Sequence, residues 1–333
     1  MSNLSKRRLS SIPINLIMGF LGVGKTTAIL DLLERKNNEE KWAVLVNEFG
    51  SVGIDGAIYS DRGAVVKEIP GGCMCCAAGL PLQVAVNRLL REAKPDRLLI
   101  EPTGLGHPRR VMETLDGEFF KDVLNPLASI CLVDPRKLSD PRYINHENFV
   151  DQIVLSDVLV ANKMDLVEPA ETHRFTQWAS DSDIPKLAVA QTVNGRLNAD
   201  WLDLPRNPLR KAKFPHAHDR KKIESNIQGS EKVEGPTWQR RENFGDGYRS
   251  RGWVFPKGAL FDYGRLTNWF SEMAPERAKG ILVTNKGWFL FNCSDGLMTI
   301  TKTNPALDSR MEIVRPRAAW TCLEKSLAAC IRT

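Results

Sequence analysis

The chain has 333 residues, of which 42% are hydrophobic and 26% charged, with a formal net charge of +6. That is enough length and apolar content for two domains with separate cores, and it argues against a membrane-spanning, repeat or low-complexity chain. Seven cysteines follow a polar N-terminus without a signal-like segment, so the chain reads as cytoplasmic, where clustered thiols more often mean metal or redox chemistry than disulfides.

In chain order, an apolar run from Ile14 to Met18 reads as a strand and hands over to Gly19-Phe20-Leu21-Gly22-Val23-Gly24-Lys25-Thr26-Thr27, which fits the phosphate-binding pattern G-x-x-x-x-G-K-[ST]. Thr26 to Arg35 reads as the helix that follows, with its positive end on the same anion. Backbone N–H groups of Gly19, Gly22, Val23 and Gly24, with Thr27, would surround phosphate oxygens, Lys25 would reach the β- and γ-phosphates, and Thr26 would ligate Mg²⁺. A second strand is expected over Ala43 to Asn47.

Gly71-Gly72-Cys73-Met74-Cys75-Cys76 then places three thiols within four residues. Cys73 and Cys76 have the C-x-x-C spacing that sets two thiolates on one soft metal ion, and Cys75 supplies a third. Glu48, a water or a partner's side chain would complete the set, and three ligands suit a site that releases its metal. A redox dithiol or buried small side chains are the alternatives.

A helix over Gln83 to Glu92 and strands over Arg97 to Glu101, Ala128 to Val133 and Val158 to Asn162 complete an alternation that indicates a mainly parallel sheet covered on both faces. The last strand runs into Asn162-Lys163-Met164-Asp165, the N-K-x-D pattern of GTPases. A carboxylate at Asp165 can accept hydrogen bonds from N1–H and the exocyclic amine of guanine, a donor pair that adenine lacks, so Asp165 would select a guanine nucleotide, GTP or GDP, over ATP.

From Arg206 to Arg251 no hydrophobic period is sustained, and twelve Lys and Arg stand against six Asp and Glu. The stretch reads as a solvated basic linker; nucleic acid is not its expected partner. Strands over Gly252 to Phe255, Gly280 to Thr284, Gly287 to Asn292 and Met311 to Val314, with helices over Asp262 to Ala274 and Ala318 to Ile331, make a small α+β domain. Trp253, Trp269, Trp288 and Trp320 are packing residues of that domain, or an exposed subset is a surface for a client or self-association. The domain division is 1–205, 206–250 and 251–333. The fold class is α/β, a P-loop NTPase domain with a mainly parallel sheet followed by a smaller C-terminal α+β domain.

Taken in order, the phosphate loop, Asn47-Glu48-Phe49-Gly50-Ser51-Val52-Gly53-Ile54-Asp55, the cysteine run, Ile100-Glu101-Pro102-Thr103-Gly104-Leu105 and Asn162 to Asp165 resemble the CobW-like metallochaperone GTPases, relatives of the urease and hydrogenase maturation GTPases. Arg277-Ala278-Lys279-Gly280 is similar to a signature of the family's C-terminal domain. The resemblance implies GTP hydrolysis that gates delivery of a transition metal to a client metalloprotein: zinc by default, with cobalt for cobalamin assembly next and nickel and iron(II) open. It also implies that Glu101 acts near Mg²⁺, directly or through water, that Gly104 approaches the γ-phosphate, and that Glu48 and Asp55 belong to the first switch segment. There a carboxylate binds Mg²⁺, orients the attacking water or completes the metal site. A nucleotide-dependent homodimer is compatible with this reading.

Two departures from the family pattern stand out. Ser51 replaces a glutamate, and His216-Ala217-His218 is all that stands for a histidine-rich tract; an ordinary solvated loop is the simpler reading of those two histidines. His107 follows the Glu101 to Gly104 motif and is either a structural histidine or one that feels the nucleotide. A nucleotide-dependent redox-sensing assembly factor and a P-loop kinase or ATPase remain as rival functions; the last leaves Asp165 unexplained.

Overall fold

A computed structural model describes residues 11–46, 65–68, 79–181, 185–215, 238–245, 248–273, 275–294, 296–316 and 323–332. The first domain is laid out as β1 (Ile12–Gly19), α1 (Lys25–Arg35), β2 (Trp42–Val46), β3 (Val65–Glu68), α2 (Leu80–Ala93), β4 (Arg97–Glu101), α3 (Pro108–Leu115), β5 (Leu124–Pro126), β6 (Ile130–Val133), α4 (Glu147–Leu155), β7 (Val158–Ala161), α5 (Pro169–Ser180) and β8 (Ala188–Gln191). The strands form one sheet in the order β3-β2-β4-β1-β6-β7-β8, with β5 paired to the start of β1. Every described pairing in it is parallel.

Strands β2, β6 and β7 are apolar and buried at every position because both faces of the sheet are covered there. Asn15 interrupts β1 without cost. Its amide donates to the carbonyls of Ala128 and Leu202 at 2.9 Å each, and its Oδ1 accepts from Arg97 at 2.7 Å. The expected strand over Ala128 to Val133 starts only at Ile130, since the N–H groups of Ala128 and Ser129 are used elsewhere, by Leu204 O and the Asp157 carboxylate. Helix α1 buries Ala28, Ile29, Leu32 and Leu33 as one stripe. Helix α2 extends beyond the expected Gln83 to Glu92: Pro81 sits in its first turn, where no intrahelical N–H is required, and Lys94 ends it in the left-handed region at φ 45°.

The second domain consists of β9 (Gln239–Gly245), β10 (Tyr248–Val254), α6 (Tyr263–Met273), β11 (Arg277–Thr284), β12 (Gly287–Ser294), β13 (Leu297–Lys302), β14 (Arg310–Pro316) and α7 (Leu323–Ala328). Its sheet is antiparallel, in the order β13-β12-β11-β14-β10-β9. One face, with Ala278, Leu282, Phe291, Cys293, Met311 and Ile313, packs with Leu266 and Phe270 of α6 and Leu323 and Leu327 of α7 into a separate core. Trp253 and Trp269 are buried in that core, as packing residues. Helix α7 ends at Ala328, before the expected Ile331, because the chain turns there so that Ile331 can bridge to Phe261. Ala318 to Cys322 lie outside the described residues.

The stretch expected to be linker, 206–250, contains strand β9. Its sequence, Gln-Arg-Arg-Glu-Asn-Phe-Gly, has no apolar alternation to announce it. It is an edge strand carried by seven registered residues of β10 and by the Glu242 carboxylate, which bonds Arg249 at 2.6 Å and pairs with Arg251 at 2.6 Å. At the other end, residues 206–215 are pinned to the first domain. Arg206 binds Asp116 through two 2.7 Å bonds, Arg210 Nε meets Asp157 at 2.8 Å, and the N–H groups of Lys213 and Phe214 donate to Asp151. Asp157 is fully buried and Arg210 nearly so, and the same carboxylate also accepts from Ser129 and the Asn207 N–H.

Removing one partner of so buried a pair leaves the other charge unmatched. Arg210→Ala is therefore expected to lower the unfolding free energy by about 3 kcal/mol or more in urea titration.

Candidate functional site

In an open parallel sheet, ligands collect beyond the carboxyl ends of the strands, where successive connections depart to opposite sides. Here that point is the end of β1, flanked by β4 and β6. Gly19 closes β1, and residues Phe20 to Gly24 form the loop. Gly24 is the residue before helix α1 and adopts φ 99°; a Cβ there would also lie 2.5 Å from the Asn162 amide. The first turn of α1 has no acidic residue, so the positive end of the helix dipole there favours an anion.

Lys25 is buried, and its ammonium donates to the carbonyls of Gly19 at 2.9 Å and Phe20 at 3.3 Å, folded over its own loop. Thr26, also buried, donates its hydroxyl to Glu101 Oε1 at 3.0 Å. Glu101 is the last residue of β4 and is 3% exposed. Val23 is buried and Thr27 exposed. Gly104 lies under the loop so closely that a Cβ would be 2.7 Å from the Leu21 nitrogen, which leaves no room for a side chain. The Gly104 carbonyl accepts from Gln152 of α4 at 3.1 Å.

Asn162, past the end of β7, is buried and acts as a strut. Its amide donates to Val23 O at 2.8 Å, and its Oδ1 accepts from the Gly195 N–H at 2.9 Å. The phosphate loop, the N-K-x-D turn and the loop after β8 are thereby fixed to one another. Lys163 takes a left-handed conformation, φ 63°, and its ammonium lies 3.2 Å from Asp134. Asp165 is exposed, in the short turn Met164–Leu166 beside them.

Asp134 and Gly195 were not anticipated as members of this cluster. Asp134 could have been found as the acidic residue directly after an apolar strand, and Gly195 from the Asn194-Gly195 pair after β8. Burial pushes the Asp134 carboxyl up, but bonds from Arg136 and the Lys163 charge outweigh it and hold the group below the ordinary carboxylate range.

His107 is structural. It is buried, its Nδ1 accepts from the Arg109 N–H to cap α3, and its Nε2 meets Asp151 Oδ2 at 2.6 Å; accepting at Nδ1 puts the proton on Nε2. Cys131, Cys293 and Cys330 are buried thiols. Burial pushes Cys131 up to about 12 and Cys330 up to about 11, which keeps both from acting as thiolates.

Glu48, Asp55, Cys73, Cys75, Cys76, His216 and His218 lie outside the described residues. The strand ends on either side of them are described: Val46 of β2 stands in register with both Glu101 of β4 and Glu68 of β3. Strands β2 and β3, which these two segments follow in the sequence, therefore end at the edge that carries Glu101. Among the described residues, no group of three or more His, Cys, Asp or Glu could hold a metal ion.

Fold and loop together define a P-loop nucleotide-binding protein. Residues 13–187 match the CobW/HypB/UreG nucleotide-binding domain, and the chain belongs to that family. It is 42% identical over 317 residues to the zinc chaperone YeiR of Escherichia coli K12, covering 94% of this chain and 96% of that one. It is 27% identical over 216 residues to the zinc chaperone CobW of a Sinorhizobium species, covering 56% and 61% of the two chains. Among solved structures, the zinc-bound YjiA GTPase of E. coli aligns over 97% of this chain and 99% of its own, with TM-score 0.43 and 18% identity. Among the described residues no helix is long and apolar enough to cross a membrane.

A carboxylate held low stabilises the fold above its unfolded pKa, and that stabilisation is lost as pH falls through its folded value. Asp134→Asn is accordingly expected to cost about 2 kcal/mol at neutral pH. Urea unfolding of the two forms should converge as the solution is acidified through and below the carboxylate range.

Proposed function

We propose that the chain is a cytoplasmic GTP-hydrolysing metal chaperone in which nucleotide state governs the binding of zinc and its transfer to a client metalloprotein. One observation carries this reading: the loop holding Lys25 and Thr26, the Asn162 strut that leads to Asp165, and the strand ends that lead to Glu48, Asp55 and the three cysteines all share one edge of one sheet. The 42% identity to a zinc chaperone over nearly the whole chain supports zinc as the cargo.

In this reading Gly19 to Thr27 wrap the phosphates through backbone N–H groups, and Lys25 leaves its loop carbonyls for the β- and γ-phosphate oxygens. Asp165 accepts the two donors of guanine. Thr26 and Glu101 fit a magnesium ion, since a hydroxyl and a carboxylate 3.0 Å apart are hard oxygen donors, and the Lys279 ammonium 3.0 Å from the Thr26 hydroxyl shows that the spot accommodates positive charge. Bound there, the ion would neutralise charge on the phosphate oxygens. Gly104, on a loop packed against the phosphate loop, offers its N–H toward the terminal phosphate. Glu48 or Asp55 orients the attacking water.

Cys73, Cys75 and Cys76 hold zinc as thiolates, so binding releases protons and weakens at low pH. Three protein ligands leave one position for an incoming ligand of the client, through which the ion can pass.

Cobalt(II) titrated into the reduced full chain is expected to give a near-stoichiometric thiolate-to-cobalt absorption band, which zinc then displaces. The band should vanish in the Cys73→Ser, Cys75→Ser, Cys76→Ser triple variant. A band of the same strength in that variant would place the metal elsewhere and contradict the proposal.

A further inference from the structure

The antiparallel sheet of the second domain has one face in its own core; the other is turned toward the phosphate loop. On β11, Arg277 and Lys279 flank Ala278, which belongs to the inner core, so both point to the outer face. Their partners on β12 are Ser294, opposite Arg277, and Asn292, opposite Lys279. The result is a two-by-two patch of polar side chains. On the adjacent strand β14, Val314 is paired with Arg277 and packs into the core of the first domain, which seats the patch against the loop.

A cleft of about 40 Å³ lies between the two walls, with Lys25, Thr26 and Glu101 on one side and Arg277, Lys279, Asn292 and Ser294 on the other. Lys279 Nζ donates to Thr26 Oγ1 at 3.0 Å, and Ser294 Oγ presses on Gly22. Lys25, Arg277 and Lys279 thus converge on a cleft whose floor is a phosphate loop. Among the described residues that line it, three cations stand with one carboxylate, Glu101, and a polyanion would complement that charge.

Resting on the nucleotide site above, we infer that Lys279 and Arg277 bind the terminal phosphates of the nucleotide from the second domain, so that the C-terminal sheet reads the triphosphate directly. Lys279 would leave the Thr26 hydroxyl if that oxygen held a divalent ion, since two cations on one oxygen repel. The nearest strong acceptors are then the phosphate oxygens, and the long stems of lysine and arginine let their charged ends follow as the cleft opens to admit them. Asn292 and Ser294 add neutral donors beside the two cations. Both cations act by holding phosphate; no proton is transferred.

The test is equilibrium binding of fluorescent GDP and of a fluorescent non-hydrolysable GTP analogue to the full chain with Mg²⁺, using Lys279→Ala, Arg277→Ala and Lys279→Arg. Losing a charge-assisted hydrogen bond in Lys279→Ala should weaken the triphosphate analogue about tenfold or more and GDP less, and Lys279→Arg, which keeps the charge, should recover most of the affinity. Arg277→Ala should shift binding the same way and serves as the measure should Lys279→Ala fail to fold. Unchanged or tighter triphosphate binding in the alanine variants would overturn the inference. Lys25→Ala separates the two layers of the argument. If the unaltered chain binds no guanine nucleotide, or binds it independently of Lys25, the nucleotide site fails and this inference with it; if Lys25→Ala abolishes binding while both alanine variants bind normally, the inference alone fails.

Discussion

The hydroxyl of Thr26 is the point on which the molecule's organisation turns. It donates to Glu101 at the end of β4 and accepts from Lys279 of the second domain, so one oxygen joins the phosphate loop, strand β4 of the parallel sheet and the antiparallel sheet. A ligand that altered the bonding of that oxygen would touch all three. The loop itself is braced from behind by the Asn162 strut and from below by the close approach of Gly104.

Coupling between nucleotide and zinc asks little of such a structure. A hundredfold change in zinc affinity between two nucleotide states corresponds to about 2.7 kcal/mol, within the range that a few altered contacts supply. The route offered by the fold is short, because β2, whose end leads to the acidic segment, lies next to β4 in register with Glu101, and β3, whose end leads to the cysteine segment, lies next to β2. Reciprocity follows from thermodynamics: whatever nucleotide does to zinc affinity, zinc does to nucleotide affinity.

Much of this was legible in the sequence because the chemistry is local. A glycine-rich loop between an apolar strand and a helix, or an N-K-x-D turn after a strand, is specified by contiguous residues, and its position at the carboxyl edge follows from strand-helix alternation. The loss of hydrophobic period after Arg206 was a poorer guide, since residues 206–215 bind to the first domain and β9 belongs to the second sheet. What stayed hidden depends on partners far away in the chain. Strand β9 has no apolar alternation and exists because β10 pairs with it; the Asp157–Arg210 and Asp134–Lys163 pairs join residues that no local pattern connects. His107 gave no sign of its role, since a helix cap and a buried carboxylate partner, Asp151, are visible only once α3 and α4 are packed. Arg277 and Lys279 could be noticed as a signature, yet their approach to Thr26 is a property of how the sheets meet.

The central claim is that the guanine-nucleotide site and the thiolate site share moving parts. Calorimetric titration of zinc into the reduced chain, empty, with Mg²⁺ and a non-hydrolysable GTP analogue, and with Mg²⁺ and GDP, tests it most directly. The account predicts clearly separated dissociation constants for the triphosphate and diphosphate forms. A single zinc affinity common to all three forms would contradict it.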